Sequence, residues 1–146
     1  MESSAAKEFD ILLVEDNPAD AELTMATLRG SRWPIRFHHV DDGVEAMEYL
    51  HNQVKGVKRP DLILLDLNMP RKGGREVLAE LKSDEKLQMI PVLIFTTSDD
   101  EVDILGAYRL NANGYISKPV DLDKFTKVVN VIENFWLKTV KLPPSC

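Results

Sequence analysis

The sequence predicts an α/β domain with one parallel sheet and helices on both faces. Three observations carry this. Short apolar runs alternate five times with longer stretches of helical spacing. The central run, LILL at residues 62–65, shows no polar alternation, which suits a strand buried on both faces. Several runs stop abruptly in polar side chains, where the carboxyl ends of parallel strands open onto a ligand crevice.

Residues 1–8 are polar and read as a flexible N-terminus. Residues 9–14 form the first strand, ending in Glu15 and Asp16. Asn17-Pro18 starts a helix, since Asn caps and Pro is tolerated at the first helical position; Gly30 stops it. A second strand spans 35–40 and a second helix 43–52, with Val44, Met47 and Leu50 at helical spacing. A polar, basic loop at 53–59 leads into the central strand. A loop over 67–72 precedes a helix at 73–83. The fourth strand is 92–96 and the fourth helix 99–110. Asn113-Gly114 signals a turn before a short fifth strand at 115–117. The last helix covers 122–137, and 138–146 is a Pro-containing tail. The domain proper is thus 9–137. Right-handed crossovers favour the strand order 2-1-3-4-5.

Composition narrows the function. The chain has 146 residues, enough for one domain with a full core. Its net charge of −6 argues against binding nucleic acid through phosphate contacts. The single cysteine, Cys146, allows no internal disulfide and suits a reducing cytoplasm. The N-terminus lacks a signal-peptide core, and no segment has the length of a membrane span.

In the order 2-1-3-4-5, strands 1 and 3 are neighbours, so Glu15, Asp16 and Asp66 crowd one cleft. Each alone reads as a solvated acid; three at adjoining strand ends do not. They repel unless a cation intervenes, and hard oxygen donors suit Mg²⁺, or Mn²⁺ in its place. Asp16 and Asp66 are assigned as direct ligands, Glu15 as a water-mediated one, and the backbone carbonyl of Asn68 as a candidate third. Thr96 and Lys118 end strands 4 and 5. A phosphoryl group on Asp66 would add a charge of about −1.5 to −2, which Lys118 and the Thr96 hydroxyl can meet. Asp66 is therefore read as a phosphoryl acceptor. Lys118 precedes Pro119, and a cis bond there would help aim the lysine inward.

LLVEDNP at 12–18, DLILLDLNMP at 61–70, VLIFTTS at 92–98 and GYISKP at 114–119 resemble the signature blocks of the response-regulator receiver domain, a flavodoxin-like (βα)5 fold. The blocks agree in order and spacing, and the resemblance covers 9–137. It implies Glu15 and Asp16 as the acidic pair, Asp66 as phosphorylation site and Lys118 as the site lysine. Thr96 becomes the switch hydroxyl and Tyr115 the switch aromatic. Asn68 and Ser98 occupy positions that tune hydrolysis. The implied donor is the phosphohistidine of a sensor histidine kinase, with the receiver catalysing its own phosphorylation and dephosphorylation. LNMPRKGG is similar to single-domain regulators paired with bacterial phytochromes.

Nine residues follow residue 137, so output is expected through protein contact. The last helix has a wide apolar face, with a surplus edge of Val128, Val131 and Phe135; the fourth carries Val102, Ile104, Leu105 and Tyr108. A homodimer through the fourth and fifth helices is the expected contact. Trp33, His38, His39 and His51 show no metal spacing and read as structural. The alternative is a phosphotransferase or phosphatase with an aspartyl-phosphate intermediate. Such an enzyme wants a second acid where Asn68 stands. A flavodoxin-like cofactor binder would want a Gly- or Ser/Thr-rich phosphate loop after strand 1, where EDNPAD offers acids.

Overall fold

The computed structural model describes residues 8–30, 34–52 and 59–144. Trp33, Cys146 and most of the 53–59 loop lie outside them. In chain order the elements are β1 (Phe9–Val14), α1 (Pro18–Arg29), β2 (Ile35–Val40), α2 (Gly43–His51), β3 (Leu62–Leu65), α3 (Gly74–Ser83), β4 (Val92–Thr96), α4 (Glu101–Arg109), β5 (Gly114–Ser117) and α5 (Leu122–Ile132). The strands form one parallel sheet in the expected order β2-β1-β3-β4-β5.

Side-chain alternation along the strands splits the core in two. Leu12, Val14, Ile63, Leu65 and Ile94 pack with α2, α3 and Ala107 of α4 on one face. Ile11, Leu13, Leu62, Leu64 and Phe95 pack with α1 and α5 on the other. The central strands β3 and β4 are buried throughout, which explains their unbroken apolar runs. The edge strand β2 alternates half-buried and exposed residues until Val40.

Local signals place the helices. Asn17 caps α1 by accepting from the Asp20 amide at 3.0 Å, with Pro18 at the first helical position. Asp42 caps α2 and Asp121 caps α5 in the same way. Gly73 caps α3 rather than opening it, and Asp100 caps an α4 that starts at Glu101. Gly74 has a tighter role. A Cβ there would lie 2.2 Å from the Asp66 carbonyl oxygen, so only glycine lets α3 rest against the backbone beyond β3.

Three expectations are corrected. The last helix is not uniformly α-helical: after Ile132 it widens into a π-helix over Glu133–Thr139, and the Val140 amide donates to the Phe135 carbonyl five residues back. The wider turns set Leu137 and Trp136 against the core, where Leu142 joins them. Val128 also packs on this cluster, so the exposed apolar edge reduces to Val131 and Phe135. The bond between Lys118 and Pro119 is trans. Lysine is aimed instead by its amide, which donates to the Thr96 carbonyl at 2.6 Å. No helix among the described residues is long and apolar enough to cross a membrane.

Candidate functional site

The site lies where β1 and β3 end side by side. Val14 pairs with Leu65, and the ladder continues one step as the Asp66 amide donates to the Val14 carbonyl at 3.1 Å. The Glu15 amide meanwhile donates to the Val40 carbonyl at 3.0 Å. These bonds bring together side chains fifty residues apart. Glu15, Asp16 and Asp66 each offer one carboxylate oxygen, all within 4.8 Å of one another. Glu15 and Asp66 are buried and Asp16 is exposed, so the cluster opens to solvent on one side.

Lys118 enters from the end of β5. Its ammonium is buried and touches Glu15 Oε1; it lies 3.1 Å from Asp20 Oδ2 and 3.4 Å from Asp66 Oδ2. It also stands 5.9 Å from the centroid of the Phe95 ring. Burial pushes the Glu15 carboxyl up to about 7; the Asp66 charge adds to the rise, and the Lys118 hydrogen bond opposes it. Burial depresses the Lys118 ammonium, but its bond to Glu15 and the Asp66 charge outweigh that and hold it above its ordinary value. The two shifts pull the pair in opposite directions. Contact with three carboxylates keeps the ammonium charged, and the most buried acid, Glu15, is where a proton enters the cluster.

The donor set fits a divalent cation. All the candidate side-chain ligands are hard carboxylate oxygens. Asn68 is exposed on the following loop, and its amide approaches Asp66 Oδ1 at 3.4 Å. A cation here would offset the part of the Glu15 rise that comes from the Asp66 charge.

Thr96 is fully buried at the end of β4, and its Oγ1 has no hydrogen-bond partner. A buried hydroxyl without a partner costs about 1–3 kcal/mol and calls for a reason. Tyr115, on β5, is half-buried and packs at the edge of the core; its hydroxyl donates to the Ser98 carbonyl at 2.9 Å. Ser98 Oγ donates to Asp103 Oδ2 at 2.6 Å, and Arg75 of α3 holds the other Asp103 oxygen. The β4–α4 loop is thus tied at both ends of Ser98.

Two groups escape a reading by strand ends: Asp20, and the Arg75–Asp103 pair. Asp20 sits on the first turn of α1, and the Asn17 cap was its available signal. A cap at 17 turns residue 20 back toward the strand end. Arg75 and Asp103 are 28 residues apart on two helices, and nothing local links them. His38 and His39 serve structure: His38 stacks on Tyr49 with centroids 3.7 Å apart, and His39 Nε2 bonds the Glu15 carbonyl oxygen at 2.8 Å.

Residues 11–130 match the response regulator receiver domain. The chain belongs to that family. This receiver is 46% identical over 137 residues to Response regulator Rcp1 of Synechocystis sp., an alignment covering 92% of the chain and 93% of Rcp1. The crystal structure of the phosphorylated cyanobacterial phytochrome response regulator RcpA matches with a TM-score of 0.90 and 48% identity, over 94% of the receiver and 100% of RcpA. The Mn²⁺-bound form of Rcp1 matches with a TM-score of 0.88 and 45% identity, over 93% and 99% of the two chains. The receiver is therefore a signalling protein of the two-component type, working through phosphorylation, with an acidic cluster suited to a divalent metal.

Proposed function

We propose that Asp66 accepts the phosphoryl group, from the phosphohistidine of a sensor histidine kinase, in a reaction that needs Mg²⁺ or Mn²⁺. The observation that carries this is the buried Lys118 ammonium set among the carboxylates of Asp66 and its neighbours. An Asp66 oxygen attacks phosphorus, the phosphorus–nitrogen bond of the donor breaks, and the histidine leaves with its electron pair. A divalent cation held by the acidic cluster would supply positive charge for the phosphoryl oxygens. Asp16, Asp66 and the Asn68 carbonyl would hold it directly, and Glu15 through water. Lys118 donates to one phosphoryl oxygen. The unpartnered Thr96 hydroxyl donates to another, which gives that buried group the partner it lacks.

The same groups support self-catalysed loading and hydrolysis, with Asn68 and Ser98 flanking the water's approach. The switch follows from Thr96. Its movement toward the phosphoryl group frees space for Tyr115 to rotate inward, which breaks the bond to the Ser98 carbonyl and changes the face of α4, β5 and α5. That face exposes Val102, Leu105, Tyr108, Val131 and Phe135, and a homodimer through α4 and α5 is the contact it supports. The likeness to a cyanobacterial phytochrome response regulator supports a bacterial phytochrome as the kinase, and the cytoplasm is the place we propose for the exchange.

Incubation with acetyl phosphate and Mg²⁺, read by intact mass, tests the assignment. The wild type gains one phosphoryl group and Asp66→Asn gains none. No gain in the wild type, or an equal gain in both, overturns it.

A further inference from the structure

We infer that Asp20 is a positioning residue that holds Lys118 before phosphorylation, must release it on loading, and by its charge shortens the life of the phosphorylated state. The inference rests on Asp66 being the acceptor. An ammonium has three protons to donate. Here all three are engaged, by Glu15 Oε1, by Asp20 Oδ2 at 3.1 Å and by Asp66 Oδ2 at 3.4 Å. The longest of them, to Asp66, passes to a phosphoryl oxygen when that carboxylate is esterified, but the phosphoryl group carries more charge and more acceptor oxygens than the carboxylate it replaces.

To meet the added charge fully the ammonium has to loosen a second contact, and geometry selects it. Glu15 is 3% exposed and shares the cation cluster with Asp66. Asp66 becomes the acyl phosphate itself. Asp20 stands outside the cluster, on the first turn of α1, with its side chain 27% exposed. It is the partner that water can replace at least cost, so the phosphoryl oxygen takes its donor. Asp20 then remains as an unpaired negative charge beside a group carrying about −1.5 to −2. Repulsion at that range in a partly solvated site changes an equilibrium by about threefold to tenfold, and salt weakens it.

The test compares wild type, Asp20→Asn and Asp20→Glu, loaded with acetyl phosphate and Mg²⁺ and followed by intact mass during decay. Asparagine keeps an acceptor for Lys118 and removes the charge. The expected result is a phosphoryl half-life about threefold to tenfold longer in Asp20→Asn, a gap that narrows in 1 M KCl, and a return toward wild type in Asp20→Glu. Mn²⁺ affinity without phosphoryl donor should change less than twofold. Asp20→Ser repeats the comparison if Asp20→Asn melts early. An unchanged or shorter half-life in the neutral variants overturns the inference, as does a tenfold loss of Mn²⁺ affinity, which would make Asp20 a metal ligand. A wild type that never loads instead defeats the assignment of Asp66.

Discussion

The Tyr115 hydroxyl donates a 2.9 Å hydrogen bond to the carbonyl of Ser98, tying β5 to the loop that leads into α4. Burial raises the phenol above its ordinary value, so the hydroxyl keeps its proton and the bond persists across the physiological range. Ser98 is held on its other side by Asp103, and Asp103 by Arg75. One bond therefore holds the half-buried Tyr115 to that loop.

Tyr115→Ala should leave loading of Asp66 intact but reduce the conformational response. Hydrogen exchange over residues 98–117, with and without acetyl phosphate, reads the response. An equal loss of loading and response would contradict a switch role.

Thr96 offers a sharper thermodynamic test. Thr96→Val keeps the shape and removes the buried hydroxyl that has no partner. The unphosphorylated protein should become more stable by about 1 kcal/mol, because an uncompensated desolvation disappears. The phosphorylated state should lose a donor and decay faster. Denaturant melts and phosphoryl half-lives measure the two effects. A destabilised Thr96→Val would mean that the hydroxyl already has a partner in water.

Lys118→Gln should destabilise the metal-free protein by about 2–4 kcal/mol, since it leaves buried carboxylates without their cation. Proton uptake at Glu15, whose carboxyl already sits near 7, holds the loss below the upper end of what such pairs show. Millimolar Mg²⁺ or Mn²⁺ should recover more stability in this variant than in the wild type. Thermal melts with and without metal decide it; equal metal stabilisation in both proteins would argue against a shared site.

Asp42 predicts a pH dependence. It accepts hydrogen bonds from Arg71 Nε at 2.8 Å and from the Glu45 amide at 3.0 Å, which hold its carboxyl below the usual carboxylate value of 3.8. A depressed folded-state value stabilises the protein above the unfolded value and is lost as pH falls through the folded one. Asp42→Asn should thus be less stable than wild type at pH 7, and the gap should close as pH falls below about 4. The bond also secures Arg71, whose φ of 64° is unusual for a side chain of its kind, so the loop after Asp66 should loosen in the variant. A gap that stays constant from pH 7 to 3 would remove the ionic contribution.

The acidic triad was legible because its members end apolar runs whose order follows from handed crossovers; Lys118 and Thr96 were legible for the same reason. The outer half of the last helix was not. Its apolar residues suit an α-helix as well as a π-helix, and the choice depends on how Glu133, Trp136 and Leu137 meet the core. Asp20 was hidden because it belongs to a helix rather than a strand end, and its partner lies 98 residues away.

Sequence alone determined the five βα units, the parallel sheet and the set of side chains at its carboxyl edge, since strand burial and helix capping are written in local patterns of polarity. Tertiary structure decided how those side chains share their protons and charges: that one ammonium is divided among Glu15, Asp20 and Asp66, that the Thr96 hydroxyl is left without a partner, and that Tyr115 is tethered through Ser98. Local patterns fix which face a residue points to. Only packing the strands side by side fixes which charges lie within a hydrogen bond of each other, and burial then sets what each contact is worth.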